Sequence, residues 1–137
     1  MKFLVHIEQY NVLGILPSQI ESLALLKSAM GFEDGAYIDN TLDGFRVRGG
    51  LRRFNSLKKF LSQEKGPFVV FCPNEGEDFR KVTIPKDSWL IFGPSMGFKK
   101  ESFDGVEVIW AKVPGGAINS RDIVPITLWE QSVWQEQ

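Results

Sequence analysis

Hydrophobic positions along this chain gather in short, dense runs bounded by glycine or proline. "KFLVHI" (2–7), "PFVVFCP" (67–73) and "SWLIFG" (88–93) are of this kind. Such runs predict strands covered on both faces, as in a parallel sheet. "VEVIWAKV" (106–113), between Gly105 and Pro114, and "GAYIDN" (35–40) predict further strands. "GFRVRGG" (44–50) predicts a short extended piece closing on a Gly49-Gly50 turn, and "KVTIP" (81–85) a short or edge strand.

The longer period of a helix is clearest in "PSQIESLALLKSAMG" (17–31). Ile20, Leu23, Ala24, Lys27 and Met30 follow helical spacing, Pro17 suits a first turn, and Gly31 stands where a helix stops. A second helix is expected from an Asn55 cap to about residue 64, with Phe54, Leu57, Phe60 and Leu61 on one side and Lys58 and Lys59 on the other. A third runs roughly from Arg121 to Gln135, with Pro125 in or near its first turn. Strands alternating with helices predict one α/β domain over residues 1–137, with a mainly parallel sheet flanked by helices.

Composition leaves that picture unchanged. Apolar residues at 43% and charged residues at 24% are ordinary for a globular protein. No apolar run approaches the roughly 18 residues of a membrane span, and the amino terminus lacks the pattern of a secretory signal. Cys72 is the sole cysteine, which excludes an internal disulfide and a zinc site of cysteines. The expectation is a reduced, cytoplasmic protein without membrane contact.

Charge is uneven, although the net value is only −1. From Phe45 to Gln63 the chain carries Arg46, Arg48, Arg52, Arg53, Lys58 and Lys59 and no acid. That block is a candidate phosphate contact, as on an RNA backbone. Acids gather instead in "PNEGEDF", where Glu75, Glu77 and Asp78 lack calcium-loop spacing, so no metal is expected. His6 is expected to be a hydrogen-bonded strand residue and Cys72 a small buried hydrophobe.

Ligands of open α/β sheets sit beyond the carboxyl ends of the strands. Three glycine- or proline-rich loops lie there: "CPNEGED", "GPSMGF" and "VPGGAIN". Their backbone groups can approach an adenine-like edge closely. Neither a G-x-G-x-x-G after the first strand nor a phosphate-binding G-x-x-x-x-G-K-[ST] is present, which argues against a dehydrogenase or P-loop enzyme.

The order "LIFGPSMGF" followed by "VEVIWAKVPGGAINSRDIVPITLWE" resembles the carboxyl-terminal half of the SPOUT superfamily of knotted RNA methyltransferases. Gly93, Pro94, Gly97 and Phe98 match that superfamily's G-P-E-G-G-F turn, and "PSQIESLALLKSAMGFEDGAYIDN" is similar to its first helix and second strand. The resemblance touches about half the chain. It implies a SPOUT-like α/β fold with a carboxyl-terminal trefoil knot, bound S-adenosylmethionine, a tRNA or rRNA substrate and a homodimer. The implied cofactor loops fall on Cys72, Phe92, Gly93, Pro94 and Gly97, then on Val113, Pro114, Gly115, Gly116 and Ile118. The implied catalytic positions are Asn119 and Arg121.

Four motif positions differ from the pattern. Ser95 stands in place of the usual glutamate, with Met96 after it, and Gln19 and Leu25 stand where the ribose-methylating branch has asparagine and arginine. Those differences carry the alternative reading, a catalytically inactive SPOUT-like or flavodoxin-like module that binds RNA or protein.

Overall fold

The computed structural model describes residues 1–6, 24–25, 27–38, 50–93 and 98–113. Seven strands form one sheet: β1 (Lys2–His6), β2 (Asp34–Ile38), β3 (Arg52–Phe54), β4 (Phe68–Cys72), β5 (Glu77–Asp78), β6 (Trp89–Phe92) and β7 (Ile109–Lys112). Their order across the sheet is β3-β2-β1-β6-β4-β7-β5, and every pairing is parallel. The described helices are α1, residues 24–25 and 27–30, and α2 (Leu57–Gln63), with a 3-10 turn at Lys100–Phe103.

The apolar runs are strands because both faces of the sheet are covered. One row crosses it through Phe3, Leu90, Val69 and Ile109, and the next through Leu4, Ile91, Val70 and Trp110. The first row belongs to a core that includes Val5, Tyr37, Phe71 and Phe92. The second belongs to a core that includes Ile38, Phe54, Phe60, Phe68, Trp89 and Phe103. Alternate side chains thus serve opposite cores, and a one-residue slip would exchange them. β4 and β6 are buried along their whole length.

Local chemistry ends the helices where the sequence predicts. Gly31 adopts φ +70° after α1, and Phe32 N–H donates back to the Lys27 carbonyl at 3.0 Å, closing a Schellman turn. α2 starts one residue later than expected: Ser56, not Asn55, is the cap, and its Oγ accepts from Lys59 N–H at 3.1 Å. Phe60, fully buried, anchors α2 edge-on against Phe54 and Trp89.

One expected strand does not form. Residues 81–85 form no strand; Val82 and Ile84 cap the first core from an irregular segment. The short strands β3 and β5 were not foreseen. The piece expected at 44–50 lies outside the described residues except Gly50, whose φ of +77° fits the turn. The helix expected at 121–135 and the expected knot also lie outside the described residues.

Candidate functional site

Parallel pairing gives the sheet one carboxyl edge. β6, β4 and β7 are neighbours in it, although they are the sixth, fourth and seventh strands along the chain. The bases of the three expected loops therefore converge. Phe92 registers with Phe71, and Cys72 with Lys112. The Phe71 and Phe92 rings stack at 4.8 Å and 6°. One residue beyond the ladder, Val113 N–H donates to the Cys72 carbonyl at 3.1 Å. Cys72, Phe92 and Val113 are buried, and Gly93 is half-buried.

Gly93 has a specific steric reason to be glycine. Its φ lies outside the left-handed region, so torsion does not demand it. A Cβ there would lie 2.5 Å from the nearest atom of the Phe98 ring. That ring also meets His6, at the end of β1, edge-on at 6.0 Å and Phe103 edge-on at 5.3 Å. Phe103 in turn packs on Trp110 of β7. Cys72 Sγ lies 4.0 Å from the Phe98 carbonyl oxygen. Phe98 thus seats against the ends of β1, β4 and β6. The sequence placed it in the motif without giving it a role, because a single aromatic after a glycine does not reveal what it covers.

Among the described residues, Lys112 at the end of β7 stands beside Cys72 and is exposed. Farther out, Glu75 pairs with Lys100 at 3.2 Å. Asp78 accepts from the Arg80 guanidinium at 3.0 and 3.1 Å and from Arg80 N–H. These bonds hold the Asp78 carboxyl down at about 2. Among the described residues no cluster of histidine, cysteine, aspartate and glutamate could hold a metal ion, and no helix is long and apolar enough to cross a membrane. A cavity of about 570 Å³ opens between Gly66–Phe68 and Gly105–Ile109, at the opposite, amino end of β4 and β7. It lies at the other edge of the sheet from Cys72, Phe92 and Val113.

The basic segment divides between the two edges. α2 follows β3 after two residues, so its first turn, with exposed Lys58 and Lys59, stands at the carboxyl edge. Arg52 begins β3 at the amino edge. There it bridges Asp34 at 2.7 Å and Glu64, and lies over the Phe54 and Trp89 rings. The Glu64 hydrogen bond, followed by burial acting the other way and the Asp34 bond, raises its pKa. Arg53 is exposed. Arg46, Arg48, Pro94, Gly97, Pro114, Gly115, Gly116, Ile118, Asn119 and Arg121 lie outside the described residues.

No protein-family model matches this sequence, and no curated protein matches it. Solved structures do. A protein described for the 2-OH methylation of C/U34 on tRNA aligns with TM-score 0.70 at 14% identity, over 99% of this chain and 91% of that one. The SpoU methyltransferase AviRb from Streptomyces viridochromogenes, in complex with the cofactor AdoMet, aligns with TM-score 0.69 at 11% identity, over all of this chain and 58% of that one. An RNA 2'-O ribose methyltransferase aligns with TM-score 0.69 at 12% identity, over 98% and 57%. The chain thus spans under three fifths of the length of the last two. This likeness bears out the expected SPOUT-like fold.

Proposed function

We propose that this chain is an S-adenosylmethionine-dependent RNA methyltransferase of the SPOUT type, with residues 1–137 as one domain. The observation that carries the proposal is the adjacency of β6, β4 and β7, which brings the bases of all three motif loops to one edge. The fold shared with the AdoMet complex and with RNA 2'-O ribose methyltransferases supports it.

The residues present suit such a cofactor. Phe92, Gly93, Cys72 and Val113 form an uncharged, largely buried base, as mostly apolar small-molecule sites have. Pro94, Gly97, Pro114, Gly115, Gly116 and Ile118 complete the loops in this reading. When bound, the cofactor supplies an electrophilic methyl group on a sulfonium. The chain's own part is to hold an acceptor oxygen or nitrogen of RNA in line and to manage its proton. That part is assigned to Asn119 and Arg121. Lys58 and Lys59, exposed at the same edge, with Arg53, Arg46 and Arg48, would meet RNA phosphates. A cytoplasmic homodimer acting on tRNA or rRNA belongs to the same proposal.

One observation favours a second reading. Leu25, at the aligned place of the branch's arginine, is 72% exposed on α1. An inactive SPOUT-like RNA- or protein-binding module would tolerate that exchange. Calorimetric titration with S-adenosylmethionine and S-adenosylhomocysteine, followed by transfer of labelled methyl to total cellular RNA, separates the readings. Saturable binding with transfer supports the enzyme. Binding of RNA without binding of either cofactor form supports the module.

A further inference from the structure

The amino edge of the sheet holds an opening that the methyltransferase reading does not use. On one side of β4, Phe68 pairs with Trp89 of β6. On the other side the ladder with β7 begins one residue later, at Val69 and Ile109. The chain enters β7 from a turn, in which Gly105 takes φ +78° and Val106 N–H donates to the Phe103 carbonyl at 3.0 Å. The cavity of about 570 Å³ is the space between residues 66–68 and 105–109.

We propose that this cavity binds a small organic cation, an aromatic or branched aliphatic amine whose apolar body fills the opening and whose ammonium faces Glu107. The proposal goes beyond the methyltransferase reading and does not depend on it.

Size, lining and charge carry it. The volume falls within the roughly 300–1,000 Å³ of small-molecule sites, and Pro67, Phe68, Val106, Val108 and Ile109 supply the apolar lining such sites have. Packing fixes these walls. Phe68 is buried, with its ring edge-on to Phe60 at 6.0 Å, while Val106 and Val108 pack against one core and Ile109 against the other. A Cβ at residue 66 would stand 3.2 Å from the Phe68 ring, so the ring lies close against that wall. A Cβ at residue 105 would meet nothing within 4 Å, so the facing wall is open. Glu107 is the only charged residue in the lining; it is exposed and has no ion-pair partner among the described residues. Lys65, exposed beside Gly66, does not line the cavity. A single carboxylate on an apolar cavity complements a cation with an apolar body, and it repels the phosphates of RNA.

The test is amide NMR of the labelled full chain during titration with phenethylamine, 2-phenylethanol and phenylacetate, which share a ring and differ in charge. Phenethylamine is expected to shift the signals of residues 66, 68 and 105–109 with a dissociation constant of about 1 mM, as for a very small ligand. The alcohol should bind about threefold more weakly and the anion more weakly still, with the amine's advantage shrinking at high salt. Glu107→Gln, at an exposed position, should bring the amine down to the alcohol and leave the alcohol unchanged. Val108→Phe, which enlarges a lining side chain, should weaken both, with thermal melts confirming that it folds. No shift at these residues with about 10 mM amine overturns the proposal. So does equal binding of the three probes, or an amine preference that survives Glu107→Gln. Shifts of the same signals on concentrating the protein alone would make a second copy of the chain the occupant, and would overturn it too.

Discussion

Arg52 on β3 and Asp34 on β2 are joined at the amino edge of the sheet by a 2.7 Å ion pair, and the same guanidinium reaches Glu64 at the carboxyl cap of α2. One fork therefore ties an edge strand, its neighbour and the end of a helix. The guanidinium side chain is 44% exposed. Exposed pairs of this type contribute roughly 0.2–1 kcal/mol each. Arg52→Met is expected to lower unfolding free energy by about 1 kcal/mol in urea titrations, with a smaller loss at high salt. Arg52→Lys keeps the charge but not the fork, and should recover only part of the loss. Because pairing raises an already high pKa, Arg52 stays charged from acid to well above neutral pH. Its contribution is present below the unfolded value and is lost only at strongly alkaline pH.

That commitment separates Arg52 from the exposed lysines of α2. If RNA lies across the carboxyl edge, removing Lys58 or Lys59 should weaken binding uniformly across sequences and reduce the logarithmic salt slope by about 1 each. Arg52→Met should leave the slope unchanged. Filter binding or fluorescence anisotropy from low to moderate salt checks both expectations. A slope altered by Arg52→Met and not by the lysine variants would move the RNA to the other edge.

Phe60 is the single buried anchor of α2, touching Phe54, Phe68 and Trp89 edge-on. Removing a buried phenylalanine ring costs about 3–5 kcal/mol in transfer and cavity terms. Phe60→Ala should reduce stability by that amount in urea titrations, several times the effect of Arg52→Met. A loss below about 1 kcal/mol would mean that α2 docks through its termini instead of its ring.

The residues that were legible in the sequence are those whose burial leaves a compositional trace. "FVVF" and "WLIF" are buried on both faces, so nothing in them is polar, and they read directly as inner parallel strands. β3 escaped because its first two residues are arginines exposed at the sheet edge, which look like loop. β5 escaped because two acidic residues carry no strand pattern, although pairing with β7 places them in the sheet. "KVTIP" misled in the opposite direction: Val82 and Ile84 are apolar because they cover a core, and covering a core requires no ladder. At the site, the glycine of Gly93 was visible but its reason was not. Its partner is the Phe98 ring, five residues on, and no local torsional rule selects that pairing.

Asp78 offers a titration check on the turn that follows β5. The Arg80 guanidinium and backbone N–H hold its carboxyl at about 2, below the ordinary carboxylate value of 3.8. A depressed folded value means that any stabilising contribution is present above the unfolded pKa and is lost as pH falls through about 2. Carbon-detected NMR should therefore show Asp78 titrating near 2, with little change between neutral pH and pH 5. Arg80→Ala should return the midpoint toward the ordinary range. An Asp78 midpoint that is the same with and without Arg80 would show that the pair does not persist in solution.

The last expectation divides cofactor binding from catalysis. Gly115 belongs to the loop "VPGGAIN" that follows β7, and a β-branched side chain there would block the close backbone approach that the cofactor reading requires. Gly115→Val should abolish binding of S-adenosylmethionine and S-adenosylhomocysteine alike. Arg121→Ala should retain both affinities while lowering methyl transfer to RNA by at least about a hundredfold, the lower range for loss of a group that handles a proton in the transition state. Binding by calorimetry and single-turnover transfer of labelled methyl measure the two effects separately. Undiminished binding by Gly115→Val would remove that loop from the cofactor site. Undiminished transfer by Arg121→Ala would remove the arginine from catalysis and leave Asn119 as the residue to test.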